Sequence, residues 1–304
     1  MPDVLSSHTL EELAKHGFTI VRGLLTPEWI EHLHTISSTW IESLDRARLS
    51  GEPLKEHGVI TRQEKEYLYS VERLHNKGRI ESLELLGHPA IRSLVRQTIG
   101  DEALATFEGF FINRQGDGLR QHWHQGPIRD RAEPAINVTI ALDDLDDTSA
   151  APRILPGSHL EPQDVCKLRD ERGDSPEGLA LIALHAGDAL VCDPMIASNS
   201  VRMQSDRTVR TVQYWFRTDA LATNEGFSDG WIAVRRPLLP LADFVYSRLH
   251  EGKSERESFA DTAARESLYE TTFPDLHGLY AVKAIYPSGN FCLDFKTGDV
   301  IKTE

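Results

Sequence analysis

The residues best suited to chemistry lie in one short stretch, His122-Trp123-His124-Gln125-Gly126. Two histidines separated by one residue would point to the same side of a β-strand, because alternate side chains of a strand share a face. Two imidazoles in this arrangement can bind a transition metal, and a single imidazole can act as a general acid or base near neutral pH. The stretch therefore predicts either a metal centre or a proton-transfer site.

Further motifs lie on either side of this stretch in a recognisable order. They are His16-Gly17-Phe18 near the N-terminus, then Leu142-Asp143-Asp144, Pro156-Gly157-Ser158-His159, Gly187-Asp188-Ala189-Leu190, Asp206-Arg207 and Arg210. Together with His124, over roughly residues 8–217, they resemble the phytanoyl-CoA dioxygenase family of iron(II)/2-oxoglutarate oxygenases. The resemblance implies a mainly β fold with flanking helices, namely a double-stranded β-helix (a cupin-like jelly roll) with an active-site cavity between its two sheets.

The iron site of that family is altered in this sequence. In the family, two histidines and one carboxylate bind the iron, and the first histidine and the carboxylate form a His-x-Asp motif. His124 matches the first histidine, but Gly126 stands at the carboxylate position. No second histidine follows, and Ser198 or Asn199 takes its place, depending on a one-residue gap. The glycine resembles the small residue that makes room for chloride in iron halogenases, but the missing histidine implies a degraded iron triad.

Other residues could complete a site around His124. His122 and His124 could form a rewired metal site, with Asp130 or Asp193 as a further ligand. Without a metal, the predicted catalytic residues are His124, His122 and Asp193. Arg210, or else Arg207, matches the family arginine that pairs with the distal carboxylate of 2-oxoglutarate. The predicted substrate-binding residues are Arg210, Trp123, Gln125, Gly126, Ser198, Asn199 and Tyr214.

The elements that position these residues follow from the periodicity of the sequence. Thr9 and Glu12 form a capping box that predicts the start of a first helix, and Pro27 predicts the start of a second. From about residue 103 the period changes to two, as in residues 136–142, which indicates half-buried strands. We predict one domain over residues 1–304, comprising a helical part at 1–100, a jelly-roll core at 103–217 and a C-terminal decoration at 218–304.

The composition limits the partners. There are 33 Lys+Arg against 47 Asp+Glu, and the net charge of −14 disfavours nucleic acids and anionic membranes. The N-terminus carries no targeting signal, no long apolar run occurs, and three distant cysteines are too few for a disulfide framework. We therefore predict a cytoplasmic protein that binds a small molecule, a carboxylated one included.

Three functions are compatible with these observations. The favoured one is a tailoring enzyme of secondary metabolism that has lost the iron site and performs acid–base isomerisation, cyclisation, elimination or hydrolysis without a cofactor. The second is an oxidoreductase, hydroxylase-like or halogenase-like, that binds Fe(II) and 2-oxoglutarate through rewired ligands. The third is a non-catalytic ligand-binding homologue.

Overall fold

The computed structural model describes residues 4–49, 57–62, 65–72, 80–114, 123–125, 134–172, 178–201, 203–204, 206–218, 238–250, 290–291 and 300–302. Within these ranges the helices are α1 (Ser7–His16), α2 (Pro27–Leu49), α3 (Ile80–Leu86), α4 (Pro89–Thr98), α5 (Val165–Arg172) and α6 (Leu238–His250), with a 3-10 turn at Ser158–Leu160. The strands are β1 (Phe18–Val21), β2 (His57–Arg62), β3 (Lys65–Glu72), β4 (Leu104–Asn113), β5 (His124–Gln125), β6 (Ala135–Ala141), β7 (Pro152–Ile154), β8 (Ala180–Leu181), β9 (Ala189–Cys192), β10 (Ser198–Ser200), β11 (Val209–Arg217), β12 (Asn290–Phe291) and β13 (Val300–Lys302).

The first two helices follow short-range sequence signals. The hydroxyl of Ser6 accepts a hydrogen bond from the backbone N–H of Thr9 and caps α1, so the cap lies three residues before the predicted one. The helix stops at Gly17, whose φ of 80° is left-handed, as is common at helix ends. A Cβ at this glycine would collide with the ring of His159, so the turn packs directly on the barrel. α2 begins at Pro27, as predicted.

All described strand pairs are antiparallel and form two sheets. The large sheet has the order β1-β9-β6-β11-β4-β3-β2-β13, and the small one has the order β12-β5-β10-β7-β8. The two sheets pack together through a shared apolar cluster that includes Ile154 of the small sheet and Leu190 of the large sheet. The predicted double-stranded β-helix is confirmed. The part predicted to be helical also contains the β2–β3 hairpin, which widens the large sheet.

Helices cover the outer faces of both sheets. On the large sheet, Ile136, Val138 and Ile140 of β6 pack in one core with helix residues such as Leu83 and Leu94. On the small sheet, α5 packs its own apolar residues against the outer face. A site between the sheets therefore has to be built from the inner faces.

The C-terminal part contributes to both layers. α6 packs against α3, β12 pairs with β5, and β13 pairs with β2. Cys166 of α5 is disulfide-bonded, and Cys192 of β9 is a free, buried thiol. Within the part of the chain that the structure describes, we find no helix long and apolar enough to span a bilayer.

Candidate active site

His124 and Ser198 lie side by side on neighbouring strands of the small sheet. They are direct partners in the β5–β10 pairing, and Ser198 Oγ lies 3.5 Å from His124 Nε2. Directly paired residues of antiparallel strands have their side chains on the same face. Ser198 is also paired with Ile154, which is buried in the cluster between the sheets. The imidazole and the hydroxyl therefore face the space between the two sheets.

The register of β10 against β5 also determines which of Ser198 and Asn199 faces His124. A shift of one residue along a strand moves a side chain to the opposite face, so Asn199 points away from His124. Asn199 is fully buried, and neither atom of its side-chain amide has a hydrogen-bond partner. Of the two residues that the sequence offered in place of the second histidine, Ser198 is the one beside His124.

Trp123 and Gln125 flank His124 in the chain and point away from the interior. Trp123 is 1% exposed and packs with Val165 and Leu168 of α5. Gln125 is equally buried, and its amide makes hydrogen bonds to backbone groups of the protein. Both side chains thus lie on the outer face of the small sheet, against their predicted role in substrate binding.

Arg210 lies on the helix-covered face of the large sheet, not in the interior. Its Nη2 is 3.4 Å from Ser38 Oγ of α2, and its Nη1 is 3.7 Å from Asp143 Oδ1. Burial raises the pKa of the Asp143 carboxyl, although the charges of Arg210 and His34 oppose the shift. Val209, the preceding residue, belongs to the cluster between the sheets. Arg210 is therefore not placed beside His124, because in β11 it is the neighbouring Val209 whose side chain faces the interior.

Tyr214 and Arg207 are also outside the interior. Tyr214 is fully buried in the core beneath the helices, where its hydroxyl donates to the carbonyl oxygen of Ser82 at 3.4 Å. Burial, followed by the charge of Glu108, raises the pKa of this phenol. Arg207 lies at the surface, with its Nη2 3.1 Å from Asp146 Oδ2. Neither residue takes the substrate-binding place predicted for it.

Asp193 begins the loop that leads to Ser198. Its Oδ1 accepts a hydrogen bond from the backbone N–H of Met195 at 2.8 Å, and its own N–H donates to the carbonyl of Gly17 at 2.8 Å. The carboxylate therefore shapes this loop. The preceding residue, Cys192, lies in the interior cluster, where burial, followed by the charge of Asp193, raises the pKa of its thiol. This thiol is therefore protonated near neutral pH and does not act as a nucleophile.

The inner face of the large sheet carries polar residues that sequence reasoning did not assign to the site. Asn137 and Thr139 of β6 pair with residues of β9 that belong to the interior cluster, and Gln213 of β11 pairs with Thr139. The Oδ1 atom of Asn137 is buried without a hydrogen-bond partner. Beside it, Trp215 stacks on Phe107 with ring centroids 4.5 Å apart. The inner face thus combines neutral hydrogen-bonding groups with an aromatic pair. The alternation of polar and apolar residues along β6 is the sequence signal that could have pointed to Asn137 and Thr139.

These donors do not fit the iron centre that the family resemblance implies. Such a centre needs two imidazoles and one carboxylate on one face of the metal. In the described ranges, no three side chains of His, Cys, Asp or Glu are grouped so that they could hold a metal ion. The group beside His124 is the neutral hydroxyl of Ser198, which is a weak ligand for Fe(II). His122, Gly126 and Asp130 lie outside the described residues.

Several solved structures share this architecture. AviO1 from Streptomyces viridochromogenes Tue57 has a TM-score of 0.58 at 19% identity, with 72% of this chain and 98% of that protein covered. EctD from S. alaskensis in its apoform has a TM-score of 0.60 at 14% identity, with 77% and 86% covered. SnoK, a non-heme alpha ketoglutarate dependent carbocyclase from nogalamycin biosynthesis, has a TM-score of 0.55 at 14% identity, with 70% and 84% covered. At these identities the likeness establishes the fold.

Comparison at the sequence level places the chain in a family. No curated protein sequence matches it. The family model described as phytanoyl-CoA dioxygenase (PhyH) matches residues 13–212, which is well over half of the chain and includes α2, His124 and Ser198. The chain therefore belongs to the phytanoyl-CoA dioxygenase (PhyH) family.

Proposed function

We propose that this chain is a small-molecule tailoring enzyme that uses His124 for acid–base chemistry, at a family site that has lost its iron ligands. The observation that carries the proposal is the pairing of His124 with Ser198, which puts a neutral hydroxyl beside the retained histidine. A hydroxyl contributes little metal affinity, but it can donate a hydrogen bond to an imidazole or accept one from it. Isomerisation, cyclisation, elimination and hydrolysis are the reaction types that such a site supports.

In this proposal, the proton moves at Nε2 of His124. With Nδ1 protonated, Nε2 accepts a proton from the substrate, and the resulting imidazolium returns it at a second position. Ser198 favours one tautomer by hydrogen bonding to Nε2 when no substrate is bound. The 3.5 Å separation is at the long end of hydrogen bonding, which is common before a substrate completes the site.

The substrate binds between the sheets, against the inner face of the large sheet. Asn137, Thr139 and Gln213 offer amide and hydroxyl groups, and Trp215 with Phe107 offers an aromatic surface that excludes water. Arg210 contacts Ser38 of α2 instead of this space. The proposal therefore gives the substrate neutral hydrogen-bonding partners.

Membership of the family favours a second candidate, an iron(II)/2-oxoglutarate oxidoreductase in which His122 and His124 act as rewired ligands. SnoK is itself an alpha ketoglutarate dependent enzyme. This candidate requires Fe(II), oxygen and 2-oxoglutarate for turnover, whereas the acid–base enzyme requires none of them. A ligand-binding homologue would give no turnover under either condition.

The test is turnover of metabolites from the protein's own host, followed by untargeted mass spectrometry. One reaction contains EDTA in D₂O without oxygen, and the other contains Fe(II), 2-oxoglutarate and air. We expect a product in the EDTA reaction. A product of isomerisation should also carry deuterium on carbon, because the imidazole exchanges the proton that it has taken up with the solvent before it returns one to the substrate. We also expect that His124→Ala abolishes this product.

The matched control is His185→Ala, which removes a histidine whose side chain is 82% exposed at the surface. This variant should form the product at the wild-type rate. A product that appears only with Fe(II) and 2-oxoglutarate would overturn the proposal in favour of the oxidoreductase. Ligand binding without any product would overturn it in favour of a binding protein.

A further inference from the structure

Gln125 is the most extensively hydrogen-bonded side chain next to the proposed catalytic histidine. Its Nε2 lies 3.1 Å from the carbonyl oxygen of Ser158, 3.0 Å from that of Glu161 and 2.8 Å from that of Met195. Its Oε1 accepts a hydrogen bond from the backbone N–H of Gln163 at 2.8 Å. An amide has two donor hydrogens, so three carbonyls already exceed its donor capacity. The group is left with no donor for a substrate.

The segments that this amide connects are those that flank the proposed site. Met195 lies in the loop that runs from Asp193 to Ser198. Ser158 reaches the same loop, because its Oγ accepts a hydrogen bond from the backbone N–H of Ala197 at 2.8 Å. Gln125 and Ser158 thus form a buried node that fixes both the strand of His124 and the start of the strand of Ser198.

A node of this kind is needed because the strands themselves are short. Within the described residues, β5 has two residues and β10 has three, so the backbone pairing described here supplies few hydrogen bonds. Adjacent residues of a strand point to opposite faces, so the outward Gln125 is tied to the protein while the inward His124 stays available. The amide acts on the histidine through the one peptide bond that joins them.

We propose that Gln125 is a positioning residue that sets the place of His124 against Ser198. This rests on the proposed function, because the position matters through the proton transfer at His124. The sequence suggested a substrate contact for Gln125, whereas its four partners assign it to the support of the catalytic side chain.

The test is a double-mutant cycle read by NMR of the histidine ring nitrogens in isotope-labelled protein. In the wild type, Ser198→Ala should shift the ring nitrogen signals of His124, because it removes the hydroxyl beside Nε2. In a Gln125→Leu background the same Ser198→Ala change should produce no such shift, because the histidine is no longer held against residue 198. Loss of the response is the expected result.

The matched control is Gln97→Leu. Gln97 is an equivalent amide clamp far from the site, in which Oε1 accepts from the N–H groups of Val4 and Leu5 at 3.0 Å and Nε2 donates to the Leu5 carbonyl at 2.9 Å. This variant should lower thermal stability and still show the full response of His124 to Ser198→Ala. A merely structural role for Gln125 predicts that the two glutamine variants behave alike, and this result would overturn the proposal.

Ser158→Ala provides a milder second variant in case Gln125→Leu does not fold. It removes the acceptor for Ala197 and leaves the carbonyl that Gln125 uses. We expect a weakened response of His124, and an unchanged response would contradict the proposal. The NMR outcome does not depend on catalysis, so a His124→Ala variant that retains turnover would sink the proposed function and leave the positioning role to be decided by NMR.

Discussion

Acidification should destabilise the fold through His88, because this side chain has to gain a proton that its surroundings disfavour. His88 is the N-cap of α4, where its Nδ1 accepts a hydrogen bond from the backbone N–H of Ala90 at 3.2 Å. The ring packs edge-on against Trp29 with centroids 5.1 Å apart. Burial, followed by the nearby charge of His250, lowers the pKa of His88 from 6.5 to about 4. The N-terminus of a helix also disfavours positive charge.

The sign and the size of the effect follow from this pKa. Unfolded chains bind the proton below about pH 6.5, whereas the folded protein binds it only near pH 4. The stabilising contribution is therefore complete above pH 6.5 and is lost as the pH falls toward 4. About 2.5 pH units at about 1.4 kcal/mol each give an upper limit of about 3.5 kcal/mol. Because the ring is partly exposed to solvent, we expect about 2 kcal/mol.

The assay is urea unfolding at about pH 7.5 and about pH 4.5 of the wild type and of His88→Asn. Asparagine keeps a capping acceptor and does not titrate, so the variant should lose about 2 kcal/mol less on acidification than the wild type. Glu84, His32 and His250 line the same junction and are present in both proteins, so the comparison isolates the change at residue 88. Equal losses in the two proteins would refute the assignment to His88.

Three further predictions concern the site and its surroundings. Arg210→Met should not change the binding of 2-oxoglutarate measured by calorimetry, since Arg210 contacts Asp143 and not the interior. The same variant should lower the free energy of unfolding by about 1 kcal/mol. Weaker binding of 2-oxoglutarate to the variant would contradict this placement of Arg210. The double variant Ser198→His and Gly126→Asp should bind Co(II), as measured by the absorption spectrum of the metal, whereas the wild type should not. If the wild type gives the same spectrum, its own side chains are sufficient to bind the metal. Tyr214→Phe should lower the free energy of unfolding by no more than about 1 kcal/mol, because the lost hydrogen bond is 3.4 Å long; loss of ligand binding would return this residue to the site.

Local signals in the sequence were sufficient for some helices and strands, although they missed the β2–β3 hairpin. Pro27 marks the first residue of α2, and the change to a period of two from about residue 103 matches β4, which begins at Leu104. These signals depend on backbone geometry within a few residues, which the sequence contains completely. The double-stranded β-helix was implied by the resemblance to the phytanoyl-CoA dioxygenase family, which the order of the motifs around His124 carries.

The faces of the strands could not be obtained in the same way. Alternation in β6 shows that two faces differ, and the polar one, with Asn137 and Thr139, was expected to meet solvent. In the structure the apolar face of β6 lies under the helices, and the polar face lies in the barrel. Likewise, only the pairing of β10 with β5 determines that Ser198, and not Asn199, stands beside His124. Register is a property of two strands, so neither strand encodes it alone.

The proposed loss of the iron ligands gives a reason for the hydrogen bonds of the buried Gln125 amide. A bound metal helps to orient its own ligands, because it fixes the ligand geometry. In this chain the orientation of His124 has to come from the protein, through the register with Ser198 on one face and the hydrogen bonds of Gln125 on the other. General acid–base catalysis requires such precision, since the imidazole must lie within hydrogen-bond reach of the proton that it transfers. Under the proposed function, the four backbone partners of Gln125 therefore serve to hold the imidazole that transfers the proton.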